Sequence, residues 1–437
     1  MKRFVTVITL CAAVCLTASA DVFTWTSTAN GNWDDPANWQ SVSGGYPQQP
    51  GDVASFTNIG LPSTTTLTIT LPAGAVTCGV VTCSHVSNSF AFNGASANTS
   101  FLVLTNVGDV ARIQVTQPRA SSGGLFAFRN CTIEFTHPAL LQAHLASLVF
   151  FESSSAWQGD TVVTGRGSST VQYLRIACPS PNFTGTLVVD QYDAYFRATP
   201  AAITNARLVK TVRGTGAYIE NRQAPTFFPL KLENGTRYHL TSNGAGSHDG
   251  PLTAEGAVAI EADSTLTLSA DVSGTGTVAM TGSTAGTGIA RFTGSISPGA
   301  SVGVLGFNEN AGVLELGTAA DALDLNIEIT GAGGEAGVDH DQIVIQNLDT
   351  ALNLANLNVA FSGTAPGNVT NWFLVGNSID TASDFASVDY GPGRTGAIFK
   401  EDGFDGVNDR VGAIVVPEPA AIGVALCAVV LCRRMRA

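Results

Sequence analysis

Short runs of alternating apolar and polar residues recur along most of this 437-residue chain. The pattern is clear in Thr66–Leu71, Thr265–Ser269 and Leu323–Ile329, and it returns in Leu357–Phe361. An alternation with a period of two buries one face of a segment and leaves the other in water, which is typical of a β-strand. The sequence therefore predicts an all-β protein built from many short strands.

Turn signals separate these strands. Clusters of small residues such as Ser273–Gly276 and Gly331–Gly334 are typical of tight turns. The strand and turn units are only loosely similar, and no alternating helices indicate a doubly wound α/β fold. We expect a parallel β-helix or solenoid-like body in residues 57–295 and a β-rich part in residues 296–416. A β-sandwich is the alternative.

The segment after Pro138 allows two interpretations. Proline is favoured in the first turn of a helix, and the apolar residues that follow have roughly helical spacing. Those positions are Leu140, Leu141, Ala143, Leu145 and Leu148. The same run also fits a buried strand flanked by loops, so a helix and a strand are both open here.

Residues 1–20 have the features of a secretory signal peptide. Lys2–Arg3 supplies positive charge, and Phe4–Leu16 is a largely apolar run. Small residues at Ala18 and Ala20 are typical of a cleavage site, so we expect the mature chain to start at Asp21. Export of this kind permits disulfides.

Residues 417–437 form a second distinct segment. Its three parts are a motif of Pro417, Glu418 and Pro419, an apolar run Ala420–Cys432, and a basic end with Arg433, Arg434 and Arg436. A helix of this apolar run spans about 20 Å, which is shorter than the ~30 Å hydrocarbon core of a bilayer. We expect a single transmembrane helix whose arginines stay on the cytoplasmic side of the inner membrane.

This order of motif, helix and basic end resembles the PEP-CTERM sorting signal of Gram-negative bacteria that secrete polysaccharide. The resemblance covers Val416–Ala437. It implies recognition by an exosortase-type processing enzyme, removal of the tail, and delivery to the cell surface or the exopolysaccharide matrix. An ordinary tail anchor is the alternative.

Short motifs in the body are similar to those of autotransporter-like β-strand-repeat surface proteins, which often carry such tails. Near the N-terminus these motifs are Thr24–Trp25, Gly31–Asp34, Ala37–Trp39 and Pro50–Phe56. Further along they are Ile296–Leu305, Asp339–Ile345 and Gly406–Val411. The resemblance implies a β-solenoid or sandwich-like stalk. The motifs are structural in that family, so no catalytic residue is carried over.

Charge is scarce and unevenly distributed. Charged residues make up 13% of the chain and apolar residues 44%, which excludes a disordered, highly charged chain and a long coiled coil. Residues 300–416 hold 16 acidic and 3 basic side chains. Such a surface repels phosphate, so we expect no nucleic-acid partner, whereas divalent cations are compatible with it.

No cofactor is expected, although the acidic part contains two places where a metal such as Ca²⁺ is conceivable. Glu401–Asp409 is rich in oxygen ligands but does not follow the EF-hand pattern, so a solvated turn is the favoured interpretation. Asp339, His340 and Asp341 would be half of a metal site whose other half is not evident in the sequence.

Three of the five tryptophans, Trp25, Trp33 and Trp39, lie in the segment 21–56. Indole faces suit pyranose rings, so this cluster is a candidate carbohydrate-binding platform. The favoured interpretation is an N-terminal cap, because the open end of a solenoid exposes apolar side chains and strand edges.

The sequence contains no motif that indicates an enzyme. Nucleophile-elbow, zinc-protease, P-loop and dinucleotide-binding patterns are all missing. We therefore expect a non-catalytic surface or matrix protein, with a polysaccharide of the matrix as a conceivable partner. A carbohydrate-binding adhesin and a β-helix polysaccharide lyase are the alternatives. The four cysteines of the body, Cys78, Cys83, Cys131 and Cys178, are expected to be buried thiols.

Overall fold

The computed structural model describes most of residues 20–418. The segments outside the described residues within that range are 58–64, 85–88, 97–98, 107–109, 117–124, 137, 145–146, 152–154, 158–160, 167–172, 178–182, 191–192, 197–204, 213–217, 222–225, 241–244, 283–287, 332 and 365–368. The described chain is all-β, with two single-turn 3₁₀ helices at Pro36–Asn38 and Leu354–Asn356.

The strands, numbered along the chain, form two long sheets and a third face. In spatial order, the first sheet contains β3 (Trp39–Gln40), β1 (Val22–Trp25), β4 (Val53–Phe56), β7 (Val80–Cys83), β10 (Ala111–Thr116), β13 (Ala139–His144), β16 (Thr161–Arg166), β18 (Thr186–Asp190), β20 (Leu208–Val212), β22 (Leu230–Leu232), β25 (Leu252–Ala254), β28 (Val272–Gly274), β31 (Ser295–Pro298), β34 (Leu323–Glu328), β37 (Leu357–Ser362) and β40 (Ser387–Asp389). The second sheet contains β2 (Gly31–Asn32), β5 (Thr66–Thr70), β8 (Ser89–Asn93), β11 (Leu125–Arg129), β14 (Ser147–Phe151), β17 (Tyr173–Ala177), β19 (Asp193–Phe196), β21 (Tyr218–Asn221), β23 (Arg237–Leu240), β26 (Ala257–Ala262), β29 (Thr277–Gly282), β32 (Val304–Glu309), β35 (Gln342–Gln346), β38 (Asn371–Gly376), β42 (Asp409–Pro417) and β41 (Arg394–Glu401). The third face consists of three short ladders: β15 (Ser155–Trp157), β12 (Thr132–Phe135), β9 (Ser100–Leu104) and β6 (Gly74–Cys78); then β24 (Gly246–His248), β27 (Thr265–Leu268), β30 (Ile289–Phe292) and β33 (Val313–Leu316); and finally β36 (Leu352–Asn353) and β39 (Ile379–Asp380).

The chain winds in successive turns that pair with one another in parallel. Strands β25, β26 and β27 visit the first sheet, the second sheet and the third face, and β28 then returns to the first sheet beside β25. Among the described strand pairs, the antiparallel ones are β1 with β3, β38 with β42 and β41 with β42. The all-β expectation is confirmed, and the parallel order is consistent with a solenoid-like body rather than an antiparallel sandwich.

One inward-facing position of the first sheet keeps its register through eight turns. Each residue of this aliphatic column stands directly opposite the next across a parallel strand pair, and all are buried. The column is Leu187, Val209, Leu230, Leu252, Val272, Ile296, Leu325 and Val359. A slip of one residue would turn a strand's apolar side chains outward, so the column fixes the register of the sheet.

The segment after Pro138 is a strand and not a helix. Leu141 lies in β13, opposite Ile113 of β10 on one side and Val163 of β16 on the other. Parallel neighbours on both sides supply the hydrogen bonds and packing that decide the conformation, whatever the spacing of the leucines. The turn predicted at Ser273–Gly276 is corrected in part, because Ser273 and Gly274 belong to β28.

Three of the four body cysteines are buried in the described structure. Cys78 ends β6 and Cys83 ends β7, so the two thiols lie on different strands. Cys131 is also buried, and Cys178 lies outside the described residues. Cys78 carries no disulfide, and burial raises the pKa of its thiol, which makes it an unreactive core side chain.

The sheets cross the expected boundaries at residues 56 and 295 without a break. Strand β4, which ends at Phe56, pairs with β7, and β31, which begins at Ser295, pairs with both β28 and β34. The expected signal segment up to residue 19 and the tail from Pro419 onward lie outside the described residues. Within the described part, no helix is long and apolar enough to span a bilayer.

Gly274 provides a test of how closely the turns approach each other. Its φ is 122°, and a Cβ at this position would lie 1.9 Å from the carbonyl oxygen of Ala254 in the preceding turn. We expect Gly274→Ala to lower the free energy of unfolding by about 2–4 kcal/mol, because both the backbone conformation and the contact exclude a side chain. Urea denaturation monitored by circular dichroism measures this loss.

Gly393→Ala is the matched control for this substitution. Gly393 also has a positive φ, 66°, but no atom lies within 4 Å of a Cβ built there. Its replacement should cost only about 1–2 kcal/mol, the conformational part of the effect. Equal losses in the two variants would contradict the importance of the close approach at Gly274.

Candidate functional site

The three N-terminal tryptophans form the end of the buried core. Trp25 and Trp33 are fully buried and Trp39 is 7% exposed. The ring of Trp39 meets the rings of Trp25 and Trp33 edge to face, with 5.1 Å between centroids in both pairs. Phe56 of β4 lies next, 5.5 Å from Trp39, and continues the aromatic packing toward Phe90 and Phe92 of β8.

The polar edge of each indole is bonded within the same segment. The Nε1–H groups donate to the carbonyl oxygens of Ser27, Pro47 and Trp33, at 3.0, 3.0 and 2.7 Å respectively. A sugar-stacking platform needs exposed ring faces, and the burial of these three side chains leaves none. The candidate carbohydrate-binding role of Trp25, Trp33 and Trp39 is therefore corrected to packing at the end of the core.

Asp52 holds the loop that covers Trp33. Its carboxylate is buried, and Oδ2 accepts hydrogen bonds from the main-chain N–H groups of Gln48 and Gln49 at 3.0 and 2.9 Å. The predicted cleavage point lies beside it, because the main-chain N–H of Asp21 donates to Oδ1 of Asp52 at 3.3 Å. Ala20 is exposed at this point, and Ala18 lies outside the described residues.

The tryptophan cluster makes a direct stability prediction. Trp33→Ala removes a fully buried ring of the cluster, and we expect the free energy of unfolding to fall by about 3–5 kcal/mol because of the cavity it leaves. Thermal unfolding measures the change. Val42→Ala is the control, since Val42 is 100% exposed and its truncation should change the stability by less than about 0.5 kcal/mol. A Trp33→Ala variant as stable as this control would overturn the assignment.

Asp341 joins two neighbouring segments of the acidic part. It is 4% exposed, and its Oδ1 accepts from the N–H of Gly303 at 2.8 Å while Oδ2 accepts from the N–H of Glu328 at 2.7 Å. These residues stand at the start of β32 and at the end of β34. The carboxylate therefore ties together chain segments that the ladders of the two sheets do not connect.

The neighbours of Asp341 are also directed at main-chain groups. His340 is buried, and its Nε2 donates to the carbonyl oxygen of Trp372 at 3.2 Å, while Oδ2 of Asp339 accepts from the N–H of Glu335 at 3.0 Å. Burial lowers the pKa of His340, which favours the neutral ring. In the part of the chain that is described, no group of three or more His, Cys, Asp or Glu side chains is arranged to hold a metal ion.

The acidic segment Glu401–Asp409 is a hydrogen-bonded turn that joins β41 to β42. Oδ1 of Asp405 accepts from the N–H groups of Val407 and Asn408 at 2.9 and 2.7 Å, and these bonds lower the pKa of the carboxyl. Glu401 is paired with Arg410 at 2.7 Å, and the guanidinium of Arg410 lies over the ring of Trp372. The turn favoured by the sequence is thus observed, and Ca²⁺ binding stays the less favoured alternative for this segment.

Asp341 should make the stability of the protein depend on pH. Burial raises the pKa of its carboxyl to about 7, against the opposing effect of the two N–H donors. An unfolded Asp titrates near pH ~4, so between about pH 4 and 7 the folded chain holds a proton that the unfolded chain has lost. The stability that Asp341 contributes is complete below this window and is lost as the pH rises through it.

Comparison of the wild type with Asp341→Asn isolates this contribution. The amide replaces one acceptor with a donor, so we expect the variant to be less stable at about pH 4 by about 1–3 kcal/mol. The difference should shrink as the pH rises to about 8, because the wild type loses stability and the variant has no carboxyl to titrate. Melting temperatures across this range measure it, and a difference that stays constant would contradict the proposed titration.

A cleft on the third face lies where the sheet is interrupted. Strand β33 pairs with β30 and β36 pairs with β39, but no ladder joins β33 to β36. The interruption leaves a cleft of about 520 Å³. Its apolar lining includes four buried leucines, Leu314, Leu316, Leu348 and Leu352. Gly317 approaches this boundary closely, since a Cβ there would lie 2.3 Å from the carbonyl oxygen of Asn356.

The polar lining of the cleft is acidic. Arg291 and Glu315 form a pair with 2.5 Å between Nε and Oε2, which leaves Glu309 and Asp349 as the carboxylates without a basic partner in the cleft. Thr318, Thr350, Asn353 and Asn356 also line it. None of these residues stands out in the sequence, because they come from three different turns of the chain.

Glu309 occupies a position that the core reserves for apolar side chains. It stands opposite Met280 of β29, which in turn stands opposite Ile260 of β26, and both of those side chains are fully buried. Glu309 itself is 7% exposed. The burial of Glu309 could have been predicted from the sequence. In the strand Leu305–Glu309, alternate residues share a face, so inward Leu305 and Phe307 imply an inward Glu309.

The first residues of the predicted sorting motif belong to the last strand. Pro417 ends β42 opposite Arg394 of β41, and the N–H of Glu418 donates to the carbonyl oxygen of Gly393 at 3.0 Å. Pro419, Arg433, Arg434 and Arg436 lie outside the described residues. The first two residues of the predicted motif are therefore bonded to the hairpin of β41 and β42.

Comparison with known proteins finds no matching family model, no matching curated protein and no matching solved structure.

Proposed function

We propose that this protein is an exported, non-catalytic component of the cell surface or the exopolysaccharide matrix. Its body would be a β-solenoid that presents a long and mostly uncharged surface, with an acidic part at residues 296–416. A signal peptide at residues 1–20 would direct export. The tail at residues 417–437, with its transmembrane helix, would hold the protein at the inner membrane until an exosortase-type enzyme processes it.

The observation that carries this proposal is the way the wound sheets end. At the N-terminal end β3 folds back antiparallel onto β1, and the three tryptophans cover the core. At the other end β42 and β41 close the second sheet as an antiparallel hairpin. Ends closed in this way limit strand addition by other copies, which suits a self-contained unit displayed at a surface.

The position of the tail relative to the sheets supports its proposed role as a sorting signal. Because Glu418 is the last described residue with a hydrogen bond to the hairpin, a cut after the motif would remove only chain outside the sheets. The body would then keep its fold while losing the segment that holds it at the membrane. A processing enzyme could therefore remove the sorting segment without unfolding the body.

Deletion of residues 419–437 tests the proposal. We expect the truncated protein to be exported with an unchanged melting temperature but to be lost from the cell surface and recovered in the medium. Fractionation followed by immunoblotting measures its distribution. Retention at the surface equal to that of the full chain would contradict the sorting role.

A second variant separates the basic end from the apolar run. Replacement of Arg433, Arg434 and Arg436 with Gln keeps the length of the tail but removes its charge, so the protein should accumulate unprocessed and at higher apparent mass. The matched control is replacement of Lys210, Lys231 and Arg237 with Gln, which removes the same charge from the body, where the ion pairs of Lys231 and Arg237 lie at the surface. Equal effects of the two triple variants would argue against a specific role for the tail.

A further inference from the structure

The cleft between β33 and β36 is not simply a place left open for another strand. Along β33 the N–H groups of Val313 and of the following Gly317 donate to the preceding turn, toward the carbonyl oxygens of Gly288 and Phe292. The N–H of Leu314, in contrast, donates to Oε2 of Glu309 at 3.3 Å. A side-chain carboxylate thus replaces the carbonyl that the next strand would supply, so an added peptide strand would compete with a bond already made.

The other carboxylate oxygen of Glu309, Oε1, is buried and meets no donor in hydrogen-bond geometry within the described chain. Burial raises the pKa of this carboxyl, and the main-chain N–H groups of Leu314 and Asp349 near it oppose that effect. A buried carboxylate oxygen without a donor is costly, and native structures retain such groups mainly where something else binds. The polar residue is also unusual for its position in the sheet, because the equivalent residues of the two preceding turns, Met280 and Ile260, are apolar.

The charges and the shape of the cleft restrict the kind of ligand. Once Arg291 and Glu315 are paired, the cleft holds two uncompensated carboxylates, those of Glu309 and Asp349. Its remaining surface includes four buried leucines and no aromatic ring among the described residues. A metal ion would need a closer set of ligands than the described residues provide. An elongated aliphatic cation satisfies all of these features.

We propose that this cleft binds a primary alkylammonium group, with the ammonium donating to the carboxylate of Glu309 and the aliphatic chain lying on Leu314, Leu316, Leu348 and Leu352. Asp349 is exposed at the cleft and would attract the cation or pair with a second ammonium. Both a free polyamine and a lysine side chain carry this chemistry. The volume of about 520 Å³ is in the range of small-ligand sites. Binding of such a group is independent of the function proposed for the whole protein.

Calorimetric titration of the purified full chain at low ionic strength tests the proposal. Putrescine and Nα-acetyl-lysine amide are the two probes, and 1,4-butanediol is the neutral analogue of the first. We expect at least one amine to bind and the diol not to bind. Tighter binding of putrescine points to a free polyamine, and tighter binding of the lysine derivative points to a protein partner. Absence of binding by both amines, or equal binding of the diol, would overturn the proposal.

Substitutions locate the binding in the cleft. Glu309→Gln removes the charge but keeps the shape, and it should weaken amine binding by about 10- to 100-fold. Asp349→Asn, at an exposed position that the fold does not need, should weaken binding by about 2- to 5-fold. Glu255→Gln is the control, because Glu255 lies outside the cleft, near Lys231 at 3.7 Å, and its replacement should leave the affinity unchanged.

Two results would count against the cleft as an amine site. The first is unchanged amine affinity in both Glu309→Gln and Asp349→Asn, with circular dichroism confirming that each variant is folded. The second is binding of CaCl₂ that is lost in Glu309→Gln while neither amine binds, which would make the cleft a metal site. Because Asp349→Asn alters only an exposed side chain, the proposal stays testable even if Glu309→Gln does not fold.

Discussion

The register of the parallel strands is the constraint on which the rest of the structure depends. Each turn places an aliphatic side chain directly over that of the turn before it, as in the column from Leu187 to Val359. Neighbouring strands in such a ladder lie only about 4.8 Å apart, so every turn must match the previous one in both hydrogen bonds and side-chain positions. Glycine is required where backbones of adjacent turns meet, as Gly274 does with Ala254.

The first and last turns of such a stack would expose apolar side chains and unpaired strand edges. The two ends of the molecule are covered in different ways. The N-terminal end is covered by large side chains, since Trp25, Trp33 and Trp39 fill the space that a further turn would occupy. The opposite end is closed by main chain, through the hairpin of β41 and β42. Both solutions use antiparallel pairing, because a returning strand reverses the chain without requiring another full turn.

The sequence was sufficient for the fold class but not for the site. Alternation predicts strands such as β5, β27 and β34 because one face of each is buried and the other is wet. It left two interpretations open after Pro138, where Leu140 and Leu141 lie in a strand held by neighbours on both sides. Burial of the tryptophans could be argued from the need to cover an open end. The cleft could not be predicted from the sequence. Its residues come together only when the turns stack and the ladder between β33 and β36 is interrupted.

Glu309 shows that the strand register which builds the apolar core can also place a carboxylate inside it. Side chains at alternate positions of a strand point to the same face. Because Leu305 and Phe307 point into the core, Glu309 must point into it as well. One oxygen accepts from the N–H of Leu314, and the other meets no donor in hydrogen-bond geometry among the described residues. A buried carboxylate at a position that the neighbouring turns fill with Met280 and Ile260 is a local departure from the pattern of the core, and such departures are expected at functional sites.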